Sequence, residues 1–281
     1  MKLKSIHALF VLSILAPQAA SAHTTYGGTA RNLGPNVETA PDSGVFVPGA
    51  ISGATAAAPY YKTITNQTVT SNFGWAAGTQ PVYGDAHHIK AFRFTLAEAG
   101  LATIQVSADA ARGTAAGLAI LPAFSLFSGL LSTGSADYDT AGITLAYLQT
   151  LGNPQPRLGA LNSLGDWKIG NDASVADGLG NYEFNELSSL VYIGNVADGS
   201  SADFGSAAGI QGDGIADGRV RASFWLPAGG YSLILGGARI SGSDLRSFGV
   251  QASLSVIPEP SALLLAAVSA CGLFVRRRDN R

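Results

Sequence analysis

The feature that most restricts the fold of this chain is a set of short apolar runs with a two-residue period, each closed by glycine or proline. In Ile89–Leu96, Phe92, Phe94 and Leu96 alternate with Arg93 and Thr95. That period puts alternate side chains on one face of a half-buried strand. Ala97-Glu98-Ala99-Gly100 supplies a turn, and Ala102–Ala108 returns with Ile104 and Val106 on one face, so the unit reads as a hairpin. Near the end, Arg219–Leu226 alternates in the same way, Pro227-Ala228-Gly229-Gly230 turns, and Tyr231–Leu235 returns before Gly236-Gly237. Further strands are expected at Tyr60–Thr70, Ala123–Leu131 and Phe248–Val256, and one short helix at Thr140–Leu151. The fold class is therefore all-β: an antiparallel sandwich or jelly-roll-like body in which two such units sit in stacked sheets.

The ends have a different character. Lys2 and Lys4 precede an apolar stretch from Ala8 to Ala16, followed by Ala20-Ser21-Ala22. A positive start, a short apolar segment and small residues at −3 and −1 are what signal peptidase recognises, with Ala20 and Ala22 at the cut. Residues 1–22 are thus expected to leave as a signal helix, with His23 the mature N-terminus. The other end reads Val256-Ile257-Pro258-Glu259-Pro260-Ser261, then an apolar run from Ala262 to Val275, then Arg276-Arg277-Arg278. Two prolines around a glutamate separate the body from the apolar tail. A 14-residue helix spans roughly 21 Å, short for a hydrocarbon core of about 30 Å. Flanking residues and snorkelling arginines make up part of the difference. Arg276, Arg277 and Arg278 belong on the cytoplasmic side, which places the body outside.

Residues 257–281 resemble the PEP-CTERM family of sorting tails, in which a Pro-Glu-Pro motif precedes a membrane helix and a basic end. The resemblance implies processing near Pro258-Glu259-Pro260 by an exosortase-type membrane protease, in a Gram-negative bacterium that makes extracellular polysaccharide. It also implies a location at the outer surface, in the periplasm or in the extracellular matrix, after transient anchoring in the inner membrane. A plain tail anchor without processing is the rival reading.

Between the ends, residues 23–59 are rich in Gly, Pro, Ala and Thr and read as an extended arm with one or two edge strands. Residues 60–256 form the sandwich domain. The only cysteine, Cys271, lies in the C-terminal apolar run, so the body holds no disulfide and no cysteine-ligated metal. Residues 23–257 carry 11 Lys/Arg and 17 Asp/Glu, a mildly acidic balance without the basic footprint of a nucleic-acid partner. The Gly-, Asn- and Asp-rich segment Gly165–Asn181 reads as a long surface loop. The body resembles the β-sandwich domains carried by exported proteins with such tails.

Three residue groups are candidates for chemistry. Asp213 and Asp217, in Asp213-Gly214-Ile215-Ala216-Asp217-Gly218, lie on a glycine-bent loop of the kind that offers oxygens to calcium. Asp198 and Asp203 lie upstream; the alternative is simple Asp-Gly turns. His23, once N-terminal, joins an amine to an imidazole, and His87 or His88 can add a second imidazole, a donor that suits copper. That arrangement is similar to the histidine brace of the lytic polysaccharide monooxygenases, and no other motif of that family is visible. Trp75 and Trp167 lie in Gly-rich stretches where aromatic rings can stack on sugars, or can pin loops to the sandwich. Trp225 alternates with Phe224, so one of the two faces outward or toward the second sheet. No Gly-x-Ser-x-Gly elbow, His-Glu-x-x-His or phosphate loop is present, and the close carboxylate pair is Glu183 and Glu186. The leading expectation is a non-enzymatic surface or matrix component associated with exopolysaccharide. The alternative is an exported metal-dependent enzyme with copper at His23.

Overall fold

The computed structural model describes residues 25–79, 82–115, 117–131, 161–169, 188–200, 203, 204, 207, 209–240 and 242–258. In chain order the strands are β1 (Asn36–Glu38), β2 (Phe46–Pro48), β3 (Tyr60–Thr70), β4 (Gly78–Thr79), β5 (Val82–Tyr83), β6 (Lys90–Leu96) and β7 (Gly100–Asp109). They continue with β8 (Pro122–Ser128), β9 (Trp167–Ile169), β10 (Ser188–Ala197), β11 (Arg219–Leu226), β12 (Gly229–Gly237) and β13 (Ser247–Pro258). A single 3-10 turn, Ala86–His88, is the helical element among the described residues. The helix expected at Thr140–Leu151 lies outside them, as do the signal segment and the tail beyond Pro258.

Every paired strand runs antiparallel. One sheet has five strands in the order β6-β12-β8-β10-β9, the other four in the order β11-β7-β13-β3. The strands of the two units anticipated from alternation form, but neither unit is a hairpin. β6 pairs with β12 and β7 with β11, so each short link carries the chain from one sheet to the other. Alternation cannot separate the two outcomes, because a hairpin and a sheet-to-sheet arch both need apolar residues at every second position. The arches stack on one another: Phe94 pairs with Tyr231 across β6 and β12, their rings stacked at 5.2 Å, while Ala102 pairs with Phe224 across β7 and β11.

The core between the sheets is built from the inward positions of both. Phe92, Phe94, Phe124, Leu126, Leu233 and Leu235 meet Ile104, Val106, Val220, Val250 and Leu254. In the four-stranded sheet, burial alternates along β7 and β11, as in a sheet with one face in water. In the five-stranded sheet, β8 and β12 are buried almost throughout. Their outward residues Ala123, Phe127 and Ile234 belong to a second apolar cluster with Tyr26, Trp75, Tyr83, Leu161 and Phe204. The body therefore has three layers: two sheets, and a cap of loop segments over the five-stranded sheet.

Buried hydroxyls join the cap to the sheet. Trp75 Nε1 donates to Ser125 Oγ at 2.8 Å, Ser125 Oγ donates to the Ser163 carbonyl at 2.5 Å, and Ser163 Oγ donates to the Trp75 carbonyl at 2.5 Å. Tyr26 and Ser232 share a hydrogen bond of 2.6 Å on the neighbouring strand, and Ser232 Oγ donates to the Gly129 carbonyl at 2.6 Å. Polar groups so buried must be paired, and here both serines on the outward face of the central strands are.

The expected arm is extended but packed. Leu33 N donates to the Arg93 carbonyl and Ile51 N to the Thr95 carbonyl, so residues 32–51 lie along the open edge of β6. Leu33 and Ile51 enter the inter-sheet core. Between them β1 and β2 pair as a small hairpin. Covering an edge in this way blocks strand addition by another chain.

Candidate functional site

The acidic loops gather at the end of the sandwich where β10 finishes and β11 begins. Asp198 is fully buried; its Oδ1 accepts from Asp217 N at 2.9 Å and its Oδ2 from Gly218 N at 2.8 Å. Asp213 Oδ1 accepts from Gly199 N at 3.1 Å and Ile215 N at 3.3 Å, and Asp203 Oδ2 accepts from Ser200 N at 2.7 Å. Asp217 Oδ1 accepts from Arg219 N at 3.0 Å. The carboxylates of this segment thus cap backbone amides and shape the link between β10 and β11. Among the described residues no three His, Cys, Asp or Glu side chains converge as metal ligands. Asp213 and Asp217, expected as calcium ligands or as simple turns, accept from nearby backbone N–H groups in the way turn-forming carboxylates do.

Burial pushes the Asp198 carboxyl above its ordinary value; the two amide bonds pull it down, and the nearby Asp213 and Asp217 charges push it up again. A carboxyl raised on folding binds its proton more tightly in the native state. Its contribution to stability therefore grows as pH falls through the raised pKa, and is complete below the unfolded value of about 3.9. Relative to Asp198→Asn, the wild type is expected to gain stability on acidification from neutral pH, measured as the difference between urea midpoints across a pH series. A difference that shrinks in acid would contradict the assignment.

The histidine pair sits at the same end of the sandwich. Asp85 caps the 3-10 turn by accepting from His87 N, and its carboxylate also holds His87 Nδ1 at 2.8 Å. His88 Nε2 is 3.6 Å from the same carboxylate, and His88 Nδ1 is 3.1 Å from the Thr70 carbonyl. His88 thus has both ring nitrogens turned to protein oxygens and its ring 5.5 Å from that of Phe73. His23, the other half of the expected copper brace, lies outside the described residues.

Trp75 does not present its ring to solvent. It is fully buried beneath the cap, with its indole N–H spent on Ser125. The expectation that it stacks on sugar is corrected: the glycines around it allow close passage of backbone rather than an open loop. Trp167 opens β9, paired through Leu190 with β10. That strand lies inside Gly165–Asn181, expected as a loop; three residues are too few for alternation to register as a strand signal.

The residue that alternation left open is Trp225. It is 62% exposed, while Phe224 turns inward against Phe124 at 6.4 Å. The register of β11, β7, β13 and β3 arranges the outer sheet face in rows. Trp225, Leu101 and Ile257 form the row nearest the arch links. Ser223, Thr103, Ser255 and Tyr61 form the next, and Arg221, Gln105, Ser253 and Thr63 the one after. Thr103 and Ser223 share a hydrogen bond of 2.8 Å, and Thr63 and Ser253 one of 2.9 Å.

No family model matches the chain, and no curated protein matches it in sequence. Among solved structures it is similar to CorA, a surface-associated copper-binding protein important in copper acquisition by Methylomicrobium album BG8. That likeness has a TM-score of 0.43 and 15% identity, and covers 74% of this chain and 98% of CorA. It is also similar to MopE, a secreted protein of Methylococcus capsulatus in which an oxidized tryptophan facilitates copper binding. There the TM-score is 0.38 at 15% identity, over 80% of this chain and 94% of MopE. Likenesses of this size carry no ligand over to the present chain.

Proposed function

We propose that this chain is an exported, non-enzymatic surface or extracellular-matrix module of a Gram-negative bacterium, associated with exopolysaccharide. In this reading signal peptidase trims it at the front, and an exosortase-type protease trims it near Pro258-Glu259-Pro260. The observation that carries the proposal is how far the described sheet runs toward the Pro-Glu-Pro motif. β13 lies inside the four-stranded sheet between β7 and β3, and its last paired residue is Pro258, opposite Gly100. A proline lacks the N–H needed to extend a ladder, so it suits the end of a strand. The first proline of the motif is thus the last described residue of the sheet, two residues beyond the Val256 boundary expected from sequence. A cut beyond it leaves every described core residue in place. The acidic, histidine and serine side chains at the loops and under the cap are engaged in capping turns and joining layers, which favours a structural module over an enzyme.

Mass spectrometry of the protein from its own host tests this. The expected product begins at His23 and ends close to Pro258–Pro260, in the envelope or medium. Recovery of the uncut chain from the cytosol would refute the proposal.

A further inference from the structure

The two ends of the sandwich differ in character. The far end, where β10 and β12 finish, carries Asp85, Asp109, Asp213, Asp217 and Asp244 at its surface and Asp198 buried beneath, with Asp217 paired to Arg219 and Asp244 to Arg246. The near end holds the two arch links, Ala97–Ala99 and Pro227–Ala228, and also Pro258. Its exposed side chains are largely apolar. Trp225 is 62% and Leu130 is 38% exposed, and Leu101 and Ile257 are half-exposed beside Trp225. The base of the β1–β2 hairpin also sits here, since Gly49 N donates to the Pro35 carbonyl while Ile51 N reaches Thr95, two residues before the arch. That hairpin exposes Val45 at 57% and Phe46 at 51%. The acidic residues of this region are Glu98 in the arch links and Glu38 and Asp42 on the hairpin, Glu38 accepting from Gly44 N.

The sequence beyond Pro258 says what this end meets. Only Glu259, Pro260 and Ser261 separate it from the apolar run that starts at Ala262. Three residues reach at most about 10 Å, so an inserted tail holds the near end against the bilayer surface. A tethered patch binds intramolecularly, so a modest apolar area suffices. Tryptophan favours the membrane–water interface, and a carboxylate-rich end is disfavoured at an anionic lipid surface.

We infer that the near end is a membrane seat: Trp225, Leu101, Ile257 and Leu130 rest in the headgroup region while the tail is inserted. The acidic end points away from the bilayer. The seat fixes Pro258-Glu259-Pro260 at the membrane surface, where a bilayer-embedded protease reaches it. The inference rests on the tail reading made under the proposed function, and it adds an orientation for the body.

The test uses the full chain reconstituted into phosphatidylethanolamine–phosphatidylglycerol vesicles, some carrying lipids brominated close to the headgroup. Trp225 is one of three tryptophans, so Trp225→Phe isolates its emission. The wild type should lose about a third more of its emission to shallow bromine than the variant does, as for an interfacial tryptophan. A polarity-sensitive label on Cys271, the sole cysteine, reports tail insertion independently. Equal quenching of the two proteins with the Cys271 label in an apolar environment would overturn the seat and leave the anchor standing. A label that remains in water would overturn both. A Trp225 emission change on adding dextran, with none on brominated lipid, would overturn the seat in favour of a sugar platform.

Discussion

Replacing Trp75 with alanine is expected to lower stability by about 3–5 kcal/mol, read as a fall in the urea midpoint at unchanged slope. Trp75 has no exposed surface, and its ring fills the space between the outward face of the five-stranded sheet and the cap. Truncation loses the transfer energy of the indole and leaves a cavity that can collapse only if the cap shifts. The cap is held by more than that ring, since the Trp75 carbonyl accepts from Ser163 Oγ and Trp75 N donates to the Gly237 carbonyl. Those backbone bonds survive the substitution and resist collapse. The Ser125 hydroxyl keeps its own acceptor, the Ser163 carbonyl, so it is not stranded. Most of the loss is therefore apolar, and Trp75→Phe should recover most of it. Any loss of polysaccharide binding by Trp75→Ala should track the unfolded fraction, because the side chain touches no solvent. A change below about 1 kcal/mol would mean that the cap unfolds apart from the sheets.

All four strands of one sheet, and β6, β8 and β12 of the other, were readable because each has one face in a shared core; β9 and β10 were not anticipated. Phe92, Phe94 and Leu96, or Ile104 and Val106, declare themselves by spacing alone. How the strands join was not readable. The three residues after Leu96 serve a tight turn or a sheet-to-sheet link equally well, and what decides is the partner strand over a hundred residues away. The cap was hidden for a different reason. Tyr26, Trp75, Leu161 and Phe204 reach it singly from separate loops, so no period connects them. At the acidic loops the sequence shows which carboxylates are close in the chain but not where their oxygens point. Asp198 and Asp213 turn theirs to amides nearby. The row that carries Trp225 can be found from sequence only by taking the outward half of the alternation as seriously as the inward half.

Gly237→Ala is expected to cost about 3 kcal/mol, at the upper end of ordinary overpacking, although the residue lies in a strand where alanine is conformationally acceptable. Gly236-Gly237, which come after the last apolar residue of their run, belong to β12 and are crossed there by the loop that carries Trp75. A methyl group on Gly237 would lie 2.2 Å from the Asn72 carbonyl carbon and 2.3 Å from its oxygen. Both atoms are backbone, and that backbone is tied on either side, with Asn72 N donating to the Asp244 carbonyl and Asn72 O accepting from Arg239 N. Relief requires the loop to lift, which would also pull Trp75 from beneath the cap. Glycine inside a strand often marks such a close approach of another backbone. Gly230, in the same strand, is the control. A methyl there would meet Leu130 Cδ1 and Cγ at 2.8 Å, side-chain atoms of a partly exposed residue that can move aside. Gly230→Ala should therefore cost under about 1 kcal/mol. Equal urea midpoints for the two variants would show that the loop over β12 yields as easily as a surface leucine, and that Trp75 is held by its ring alone.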